Sequence, residues 1–142
     1  MDNDKKKILI VDDDNFLLDM YALKFSQTKF EVHTAGSGQE AIEKLQSGGL
    51  KPDVILMDII MPGMDGFEMF EKINTDHLSP DSIKIILSNK NQQSDIDRGT
   101  ALGMAGYIVK ANSTPKEVID QVIGILAKRG VQAAQAQNIA AI

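Results

Sequence analysis

The chain has 142 residues, of which 43% are hydrophobic, and this is enough to bury the core of one domain. Its net charge of −5 argues against direct binding to nucleic acid or to an anionic membrane, because no basic stripe is present to neutralise phosphates. The absence of cysteine excludes disulfides, thiolate metal sites and thiol nucleophiles. No signal peptide is recognisable, and no apolar run approaches the roughly 20 residues of a membrane span, so a cytoplasmic protein is expected.

Five short apolar runs predict the strands of a parallel sheet, and a helical pattern follows each of them. In chain order the strands are about Lys7–Val11, Glu31–Ala35, Val54–Met57, Lys84–Leu87 and Ala105–Val109. The first helix has apolar residues at helical spacing, and the third has an apolar face. Those residues are Leu17, Met20, Tyr21 and Phe25 in the first helix, and Phe67, Phe70 and Ile73 in the third. Ser37 and Glu40 form a capping box for the second helix, and Ser94 is a weaker cap for the fourth.

The fifth helix has the strongest start signal and marks the domain boundary. Thr114 supplies a cap hydroxyl, Pro115 the first helical position and Glu117 the capping carboxylate. Gly130 is the predicted end of this helix. We therefore expect one domain over residues 1–130, followed by a flexible Ala/Gln-rich tail over residues 131–142 rather than a docking helix.

Polar groups follow four of the five predicted strands. Asp12, Asp13 and Asp14 follow the first, Asp58 the third, Ser88 the fourth and Lys110 the fifth. Because the carboxyl ends of parallel strands meet at one edge of the sheet, where ligands bind in open α/β folds, these groups are expected to converge. Acids, a hydroxyl and an ammonium at one edge indicate a site for a divalent cation and a phosphoryl group.

The acidic cluster has two interpretations. Carboxylates about 4 Å apart repel by about 4 kcal/mol at an effective dielectric of about 20, so such a cluster raises a pKa or binds a cation. Oxygen ligands without His or Cys favour Mg²⁺ over Zn²⁺. Taken alone, the residues from Asp12 to Asp14 are more typical of a helix cap with an acidic first turn. Asp58 reverses that preference, because it adds a carboxylate at a neighbouring strand end.

A carboxylate beside Mg²⁺ can also act as a nucleophile and form an aspartyl phosphate. Phosphoryl transfer needs mainly positioning and charge neutralisation, which Lys110 and the Ser88 hydroxyl would assist. Individually, Ser88 is also explained as a turn hydroxyl, Lys110 as a solvated strand-end lysine, and Asp58 as a loop-stabilising residue. It is the joint pattern that favours a phosphoryl site.

At this point the chain resembles the receiver domain of the two-component response-regulator family, over about Lys6 to Arg129. The resemblance rests on Val11-Asp12-Asp13, Met57-Asp58, Met61-Pro62-Gly63-Met64-Asp65-Gly66, Leu87-Ser88 and Tyr107-Ile108-Val109-Lys110. It implies a flavodoxin-like, doubly wound α/β fold with five parallel strands in the order 2-1-3-4-5 and five flanking helices.

The resemblance also implies roles for individual residues. Asp58 would accept phosphate from the phosphohistidine of a sensor histidine kinase or phosphotransfer protein. Mg²⁺ would be held by Asp13 and Asp58 directly, by Asp12 mostly through water, and by the backbone carbonyl of Ile60. Ser88 and Lys110 would bind the phosphoryl group. Tyr107 would be the switch aromatic, although by itself it is typical of an ordinary strand residue.

The chain departs from the family pattern at four positions. Ala111 follows Lys110 where the family usually has proline after a cis bond, so the loop is either strained or trans. Asn89 replaces a common small alanine. Ile60 and Lys90 lie where the family tunes phosphoryl lifetime, and Ile60 is predicted to alter it.

The expected function is a stand-alone signalling switch, not an enzyme, with slow phosphorylation from small donors and slow autodephosphorylation. Its output surface would be the face of helix four, strand five and helix five, acting on a downstream protein, and a phosphorylation-dependent homodimer is left open. Two alternatives remain. One is a haloacid-dehalogenase-like phosphatase using Asp12, against which Asn15 and the missing downstream acidic pair argue. The other is a receiver-like binding module that no longer uses phosphate.

Overall fold

The computed structural model describes the backbone of residues 5–140 and the side chains of residues 5–129. Strands and helices alternate throughout. In chain order they are β1 (Lys6–Val11), α1 (Asn15–Ser26), β2 (Phe30–Ala35), α2 (Gly38–Gln46), β3 (Val54–Met57), α3 (Gly66–Thr75), β4 (Ile83–Ser88), α4 (Gln93–Ala101), β5 (Gly106–Val109) and α5 (Pro115–Ala140). The predicted strands are confirmed to within one residue at each end.

The five strands form one parallel sheet in the order β2-β1-β3-β4-β5. This is the predicted flavodoxin-like arrangement, and β1 and β3 lie side by side at its centre. The inner strands are apolar along almost their whole length because helices cover both faces of the sheet.

Two hydrophobic cores hold the helices to the sheet, one on each face. On one face α1 and α5 pack through buried Tyr21, Phe25, Val118 and Val122. On the other face α2 and α3 pack through residues that include Ile42, Leu45, Phe67 and Phe70. The apolar faces predicted for the first and third helices pack against the sheet.

Two of the predicted helix starts are confirmed by their hydrogen bonds. The Ser37 hydroxyl accepts from the Glu40 amide at 3.1 Å, and the Glu40 carboxylate accepts from the Gly36 amide. At α5 the Glu117 amide donates to the Thr114 hydroxyl at 3.2 Å, and the Glu117 carboxylate accepts from the Thr114 amide at 3.1 Å. The pair at α5 is a complete capping box, whereas at α2 the Glu40 carboxylate reaches one residue further back than the N-cap, to Gly36.

Two predictions about helix ends were wrong. Helix α4 begins at Gln93, after Gln92, which makes no side-chain cap, so Ser94 lies inside the helix and does not cap it. Helix α5 does not end at Gly130 but continues to Ala140. A single glycine costs a helix only about 1 kcal/mol, and the Ala/Gln-rich residues that follow are good helix formers. Among the described residues, no helix has both the length and the apolar character needed to cross a membrane.

Candidate functional site

The predicted polar residues meet at the carboxyl edge of the sheet. Asp12 directly follows β1, Asp58 follows β3, Ser88 is the last residue of β4 and Lys110 directly follows β5. The Asp58 amide donates to the carbonyl of Val11 at 3.0 Å, which extends the pairing of β1 and β3 by one step. The two carboxylates therefore leave adjacent strands at the same level.

The ammonium of Lys110 bridges the two buried carboxylates. Its Nζ donates to Asp12 Oδ2 at 2.7 Å and to Asp58 Oδ2 at 2.8 Å. The three side chains are buried, with exposed fractions of 9%, 4% and 10% for Lys110, Asp12 and Asp58. Charge-assisted hydrogen bonds in such a shielded place are strong and fix geometry. Lys110 is thus held at the one point from which it reaches both acids.

Backbone amides engage the other oxygens of the same carboxylates. Asp12 Oδ1 accepts from the Asp14 amide at 3.0 Å, and Asp58 Oδ1 accepts from the Ile60 amide at 3.1 Å. Asp14 has a different role, because its carboxylate caps α1 by accepting from the Leu17 amide at 3.1 Å. The helix-cap interpretation of the acidic cluster is therefore right for Asp14, while Asp12 points into the site.

Burial and pairing act against each other on the charges of the site. Burial raises the pKa of Asp12, and its hydrogen bond from Lys110 offsets only part of that rise. Burial alone lowers the pKa of Lys110, but the hydrogen bonds to Asp12 and Asp58 outweigh it and raise the pKa overall. The ammonium consequently stays charged at neutral pH. Two buried acids and one cation still leave the site short of positive charge.

Carboxylate oxygens of Asp12, Asp13 and Asp58 lie within 4.8 Å of one another. Octahedral Mg²⁺ with oxygens at about 2.0–2.1 Å places adjacent ligand oxygens about 2.9 Å apart and opposite ones about 4.1 Å apart, so the carboxylates have to draw closer together to hold an ion. Asp13 is exposed and free to make that adjustment, unlike its two buried neighbours. The donor set is all oxygen, which fits a hard divalent cation.

Ser88 and Tyr107 both hold the backbone of Lys90. Ser88 is completely buried, and its hydroxyl accepts from the Lys90 amide at 3.3 Å. The Tyr107 hydroxyl donates to the carbonyl of Lys90 at 2.6 Å. Burial, followed by the nearby charges of Asp95 and Asp58, raises the pKa of Tyr107 to about 12. Ser88 and Tyr107 therefore hold the two successive peptide groups of one residue, Lys90.

The positions that depart from the family pattern line the rim of the site. Ile60 is 54% exposed beside the carboxylates, and Asn89 is exposed. The Lys90 ammonium lies 3.8 Å from Asp95 in the first turn of α4. Within the described residues no peptide bond is cis, so the bond between Lys110 and Ala111 is trans, in a short 3₁₀ turn over Lys110–Asn112.

Gly66 contributes to the site through its lack of a side chain, and the sequence did not single it out for this. It opens α3, and its amide donates to the carbonyl of Ile59 at 2.9 Å. A Cβ at this position would lie 2.2 Å from the Asp58 carbonyl oxygen. Only glycine lets α3 start this close to the Asp58 loop. The turn-rich loop sequence predicted a turn here, but not this contact between backbones.

Comparison with known proteins identifies a family for the chain. The family model described as the response regulator receiver domain matches residues 8–123. The chain is 31% identical over 128 residues to the alkaline phosphatase synthesis transcriptional regulatory protein PhoP of Bacillus subtilis, covering 90% of this chain and 51% of that protein. It is 29% identical over 140 residues to the DNA-binding response regulator MtrA of Mycobacterium tuberculosis, covering 99% and 59%. The chain thus spans roughly half to three fifths of these relatives.

Solved structures show the same fold. The chemotaxis protein CheY4 of Vibrio cholerae aligns with a TM-score of 0.78 at 27% identity, over 85% of this chain and 98% of that one. A CheY-like receiver domain protein from Methanospirillum hungatei aligns with a TM-score of 0.80 at 26% identity, over 90% and 98%. Both structures therefore align with most of this chain.

Proposed function

The chain belongs to the response regulator receiver domain family, and on that basis we propose that Asp58 is its phosphoacceptor. The observation that supports this most strongly is the Lys110 ammonium, held at 2.7 and 2.8 Å from Asp12 and Asp58. An acid that pairs with a lysine and lies beside two further carboxylates has the positive charge and the metal ligands that phosphoryl transfer requires.

Mg²⁺ is part of the proposal, because receiver domains bind it at the acidic cluster that this chain possesses. Asp13 and Asp58 would hold the ion directly, Asp12 mostly through water, and the backbone carbonyl of Ile60 would complete the protein ligands. The bound ion supplies charge neutralisation for the phosphoryl oxygens. The Lys110 ammonium would supply the rest.

In the proposed reaction a carboxylate oxygen of Asp58 attacks the phosphorus of a phosphohistidine. The new bond joins Asp58 oxygen to phosphorus, the bond from phosphorus to the histidine nitrogen breaks, and that nitrogen regains a proton from solvent. Lys110 moves from bridging two carboxylates to pairing with a phosphoryl oxygen. Positioning dominates this chemistry, so the burial of Asp58 and the rigidity of the strand ends contribute directly.

The proposed switch passes through Lys90. Ser88 is buried on the strand next to Asp58, and its hydroxyl would turn toward a phosphoryl oxygen on Asp58. That movement ends its contact with the Lys90 amide, while Tyr107 holds the carbonyl of the same residue. The phosphate therefore need only choose between two arrangements of the loop between β4 and α4. The face of α4, β5 and α5 would carry the result.

The proposed donor is a sensor histidine kinase or a phosphotransfer protein, and the proposed target is a downstream protein that binds the face of α4, β5 and α5. The two matched relatives are named as regulators of transcription or as DNA-binding proteins. This chain lacks a basic surface stripe and has a net charge of −5, so we propose no direct contact with nucleic acid for it. The domain over residues 1–130 would act as a switch rather than as an enzyme, and in the cytoplasm.

The test is intact-protein mass spectrometry after incubation with acetyl phosphate, with and without Mg²⁺. The wild type should gain one phosphoryl group only with Mg²⁺, and Asp58→Asn should gain none. Asp14→Asn is the matched control, because it removes a neighbouring charge but keeps a good helix cap, and it should be phosphorylated normally. Failure of the wild type to gain phosphate would favour the binding-module alternative.

The phosphatase alternative is separated by Asp12→Asn. In a phosphatase that uses Asp12 as its nucleophile, this change abolishes turnover of small phosphate esters. In the proposed receiver there is no such turnover to abolish.

A further inference from the structure

The first turn of α4 has few polar contacts with the rest of the protein. Gln92, which precedes the helix, makes no side-chain cap, and Gln93 and Ser94 are exposed. Asp95 is different, because only 14% of its side chain is exposed. Asp95 is therefore the charged side chain by which this turn meets its surroundings.

The later part of α4 is held more firmly. The Arg98 guanidinium lies 4.4 Å from the centre of the Phe67 ring on α3, and Gly99 is buried. The carbonyl of Leu102, at the end of the helix, accepts from the Asn74 side chain at 3.0 Å. Of the two ends of α4, the first turn is thus the one that is more easily displaced.

The Asp95 carboxylate pairs with Lys90, in the loop between β4 and α4. Lys90 Nζ lies 3.8 Å from Asp95 Oδ1, which is longer than a hydrogen bond, and half of the Lys90 side chain is exposed. An ion pair this loose and this close to water contributes little stability. The Lys90 ammonium therefore exchanges readily for a partner that binds it better.

Lys90 lies between Asp95 and the phosphoacceptor. Its amide donates to the Ser88 hydroxyl at 3.3 Å, and its carbonyl accepts from the Tyr107 hydroxyl at 2.6 Å. After burial, the charges of Asp95 and then Asp58 raise the pKa of Tyr107, so both carboxylates act on the hydroxyl that holds Lys90. The flexible four-carbon stem of lysine lets the ammonium turn from one carboxylate toward the other.

We propose that Asp95 is a positioning residue that holds the Lys90 ammonium away from Asp58 until Asp58 is phosphorylated. The inference rests on the proposed phosphoacceptor function. A phosphoryl group adds negative charge and strong acceptor oxygens to a site that is already short of positive charge. Lys90 then leaves Asp95 and pairs with a phosphoryl oxygen. The first turn of α4 loses its ion pair in the same step and moves, while the later turns stay in place.

Asp95 also has a simpler role, as an acidic residue in the first turn of a helix. The positive end of the helix dipole favours such a residue. That role depends on the charge of Asp95 but not on Lys90. The two roles therefore differ in whether the effect of replacing Asp95 depends on the presence of Lys90.

The test is a double-mutant cycle that measures the rate of phosphorylation by acetyl phosphate with Mg²⁺. Asp95→Asn should raise this rate on the order of two- to fivefold, because it frees Lys90 for the phosphoryl group. In a Lys90→Met background the same change should have no effect. Asp95→Glu keeps the charge and should react as the wild type does. Asp97→Asn, at an exposed acid of the same helix, is the matched control and should also react normally.

Amide NMR spectra test the movement of the helix. Phosphorylation of the wild type should shift the amides of residues 92–96 more than those of residues 98–102. Unphosphorylated Lys90→Met should shift the amides of residues 92–96 part of the way in the same direction, because its ion pair with Asp95 is missing.

The inference is overturned if Asp95→Asn changes the rate by the same factor with and without Lys90, since the helix dipole then explains the effect. It is also overturned if Asp95→Asn leaves the rate of the wild type unchanged. A wild type that gains no phosphate is a different result, which overturns the proposed phosphoacceptor function and this inference with it.

Discussion

The two edges of the sheet differ in how their buried charged side chains are paired. At the carboxyl edge, buried Asp12 and Asp58 share the ammonium of Lys110 at hydrogen-bonding distance. At the amino edge, buried Lys84 has a backbone carbonyl and no carboxylate. The first edge is therefore internally paired and lacks positive charge, while the second lacks negative charge. Lys110 forms buried ion pairs with two carboxylates, whereas Lys84 has no carboxylate partner among the described residues.

Replacing the buried lysine by methionine at each edge should change the free energy of unfolding by very different amounts. Lys110→Met leaves two buried carboxylates without a cation, and removing one partner of a buried pair costs about 3–5 kcal/mol. Lys84→Met removes an unpaired buried charge and adds apolar contact, so the free energy of unfolding should be unchanged or slightly higher. Urea unfolding in the presence of a chelator measures both.

Added Mg²⁺ should distinguish the two lysine variants further. Added Mg²⁺ should restore part of the stability of Lys110→Met, because the ion replaces the lost positive charge between the carboxylates. It should stabilise Lys84→Met only as much as it stabilises the wild type, because the carboxylate cluster is intact in both. Equal destabilisation by the two substitutions would contradict the difference drawn between the edges.

The glycines at the two edges should also respond differently. Gly66→Ala at the carboxyl edge places a Cβ 2.2 Å from the Asp58 carbonyl, and the forced backbone shift should lower the free energy of unfolding by about 1–3 kcal/mol. It should also slow phosphorylation of Asp58. At the amino edge, Gly103 has open space but a φ of +92°, so Gly103→Ala should lower stability without slowing phosphorylation.

Gly124→Ala is the control for both glycine variants. Gly124 is a helical glycine with no atom within 4 Å of its Cβ position, so the change should raise stability by about 0.5–1 kcal/mol. Thermal unfolding and the rate of phosphorylation from acetyl phosphate separate the three cases. Normal phosphorylation of Gly66→Ala would show that the close approach of α3 is unnecessary for the site.

The exposed Ile60 should affect the lifetime of the phosphoryl group and nothing at the other edge. Its apolar side chain is 54% exposed beside Asp58, where we expect it to obstruct an attacking water. Ile60→Asn supplies an amide that can hydrogen-bond that water, and dephosphorylation should become several-fold faster. The decay of phosphoprotein after removal of the donor measures this, and an unchanged rate would rule the role out.

Tyr107 provides the smallest predicted effect. Its hydroxyl donates to Lys90 at 2.6 Å, and Tyr107→Phe should lower the free energy of unfolding by about 1 kcal/mol near neutral pH. Because folding raises the pKa of Tyr107 from 10.0 to about 12, its contribution is complete below pH 10 and is lost as the pH rises through 12. Wild type should therefore lose stability more steeply than Tyr107→Phe over that range. Parallel pH profiles of the two proteins would count against this interaction.

The site at the carboxyl edge could be predicted because each of its residues is marked by the apolar run directly before it in the sequence. Asp58, Ser88 and Lys110 each follow an apolar run, and parallel strands bring such positions to a common edge whatever the details of packing. The helix starts at Ser37 and Thr114 are likewise marked within four residues each. The end of α5 could not be predicted, since a lone Gly130 does not stop a helix whose next residues favour it.

The surroundings of Lys84 at the amino edge could not be predicted because they are formed by residues that lie far apart in the sequence. Lys84 lies within an apolar run, which predicts only that it belongs to a strand. Nothing nearby in the sequence indicates that its ammonium is buried. Its burial depends on the neighbouring strands β3 and β5, which only the fold brings together. The contact between Gly66 and the Asp58 carbonyl has the same origin, since it depends on where α3 meets the sheet.

The most direct measurement is to trap the acyl phosphate by borohydride reduction after phosphorylation with Mg²⁺, and to identify the reduced residue by peptide sequencing. The proposed assignment of Asp58 as the phosphoacceptor predicts reduction at Asp58 alone. Reduction at Asp12 or Asp13, or a stable phosphate on a serine or histidine, would contradict the assignment of Asp58 as the phosphoacceptor.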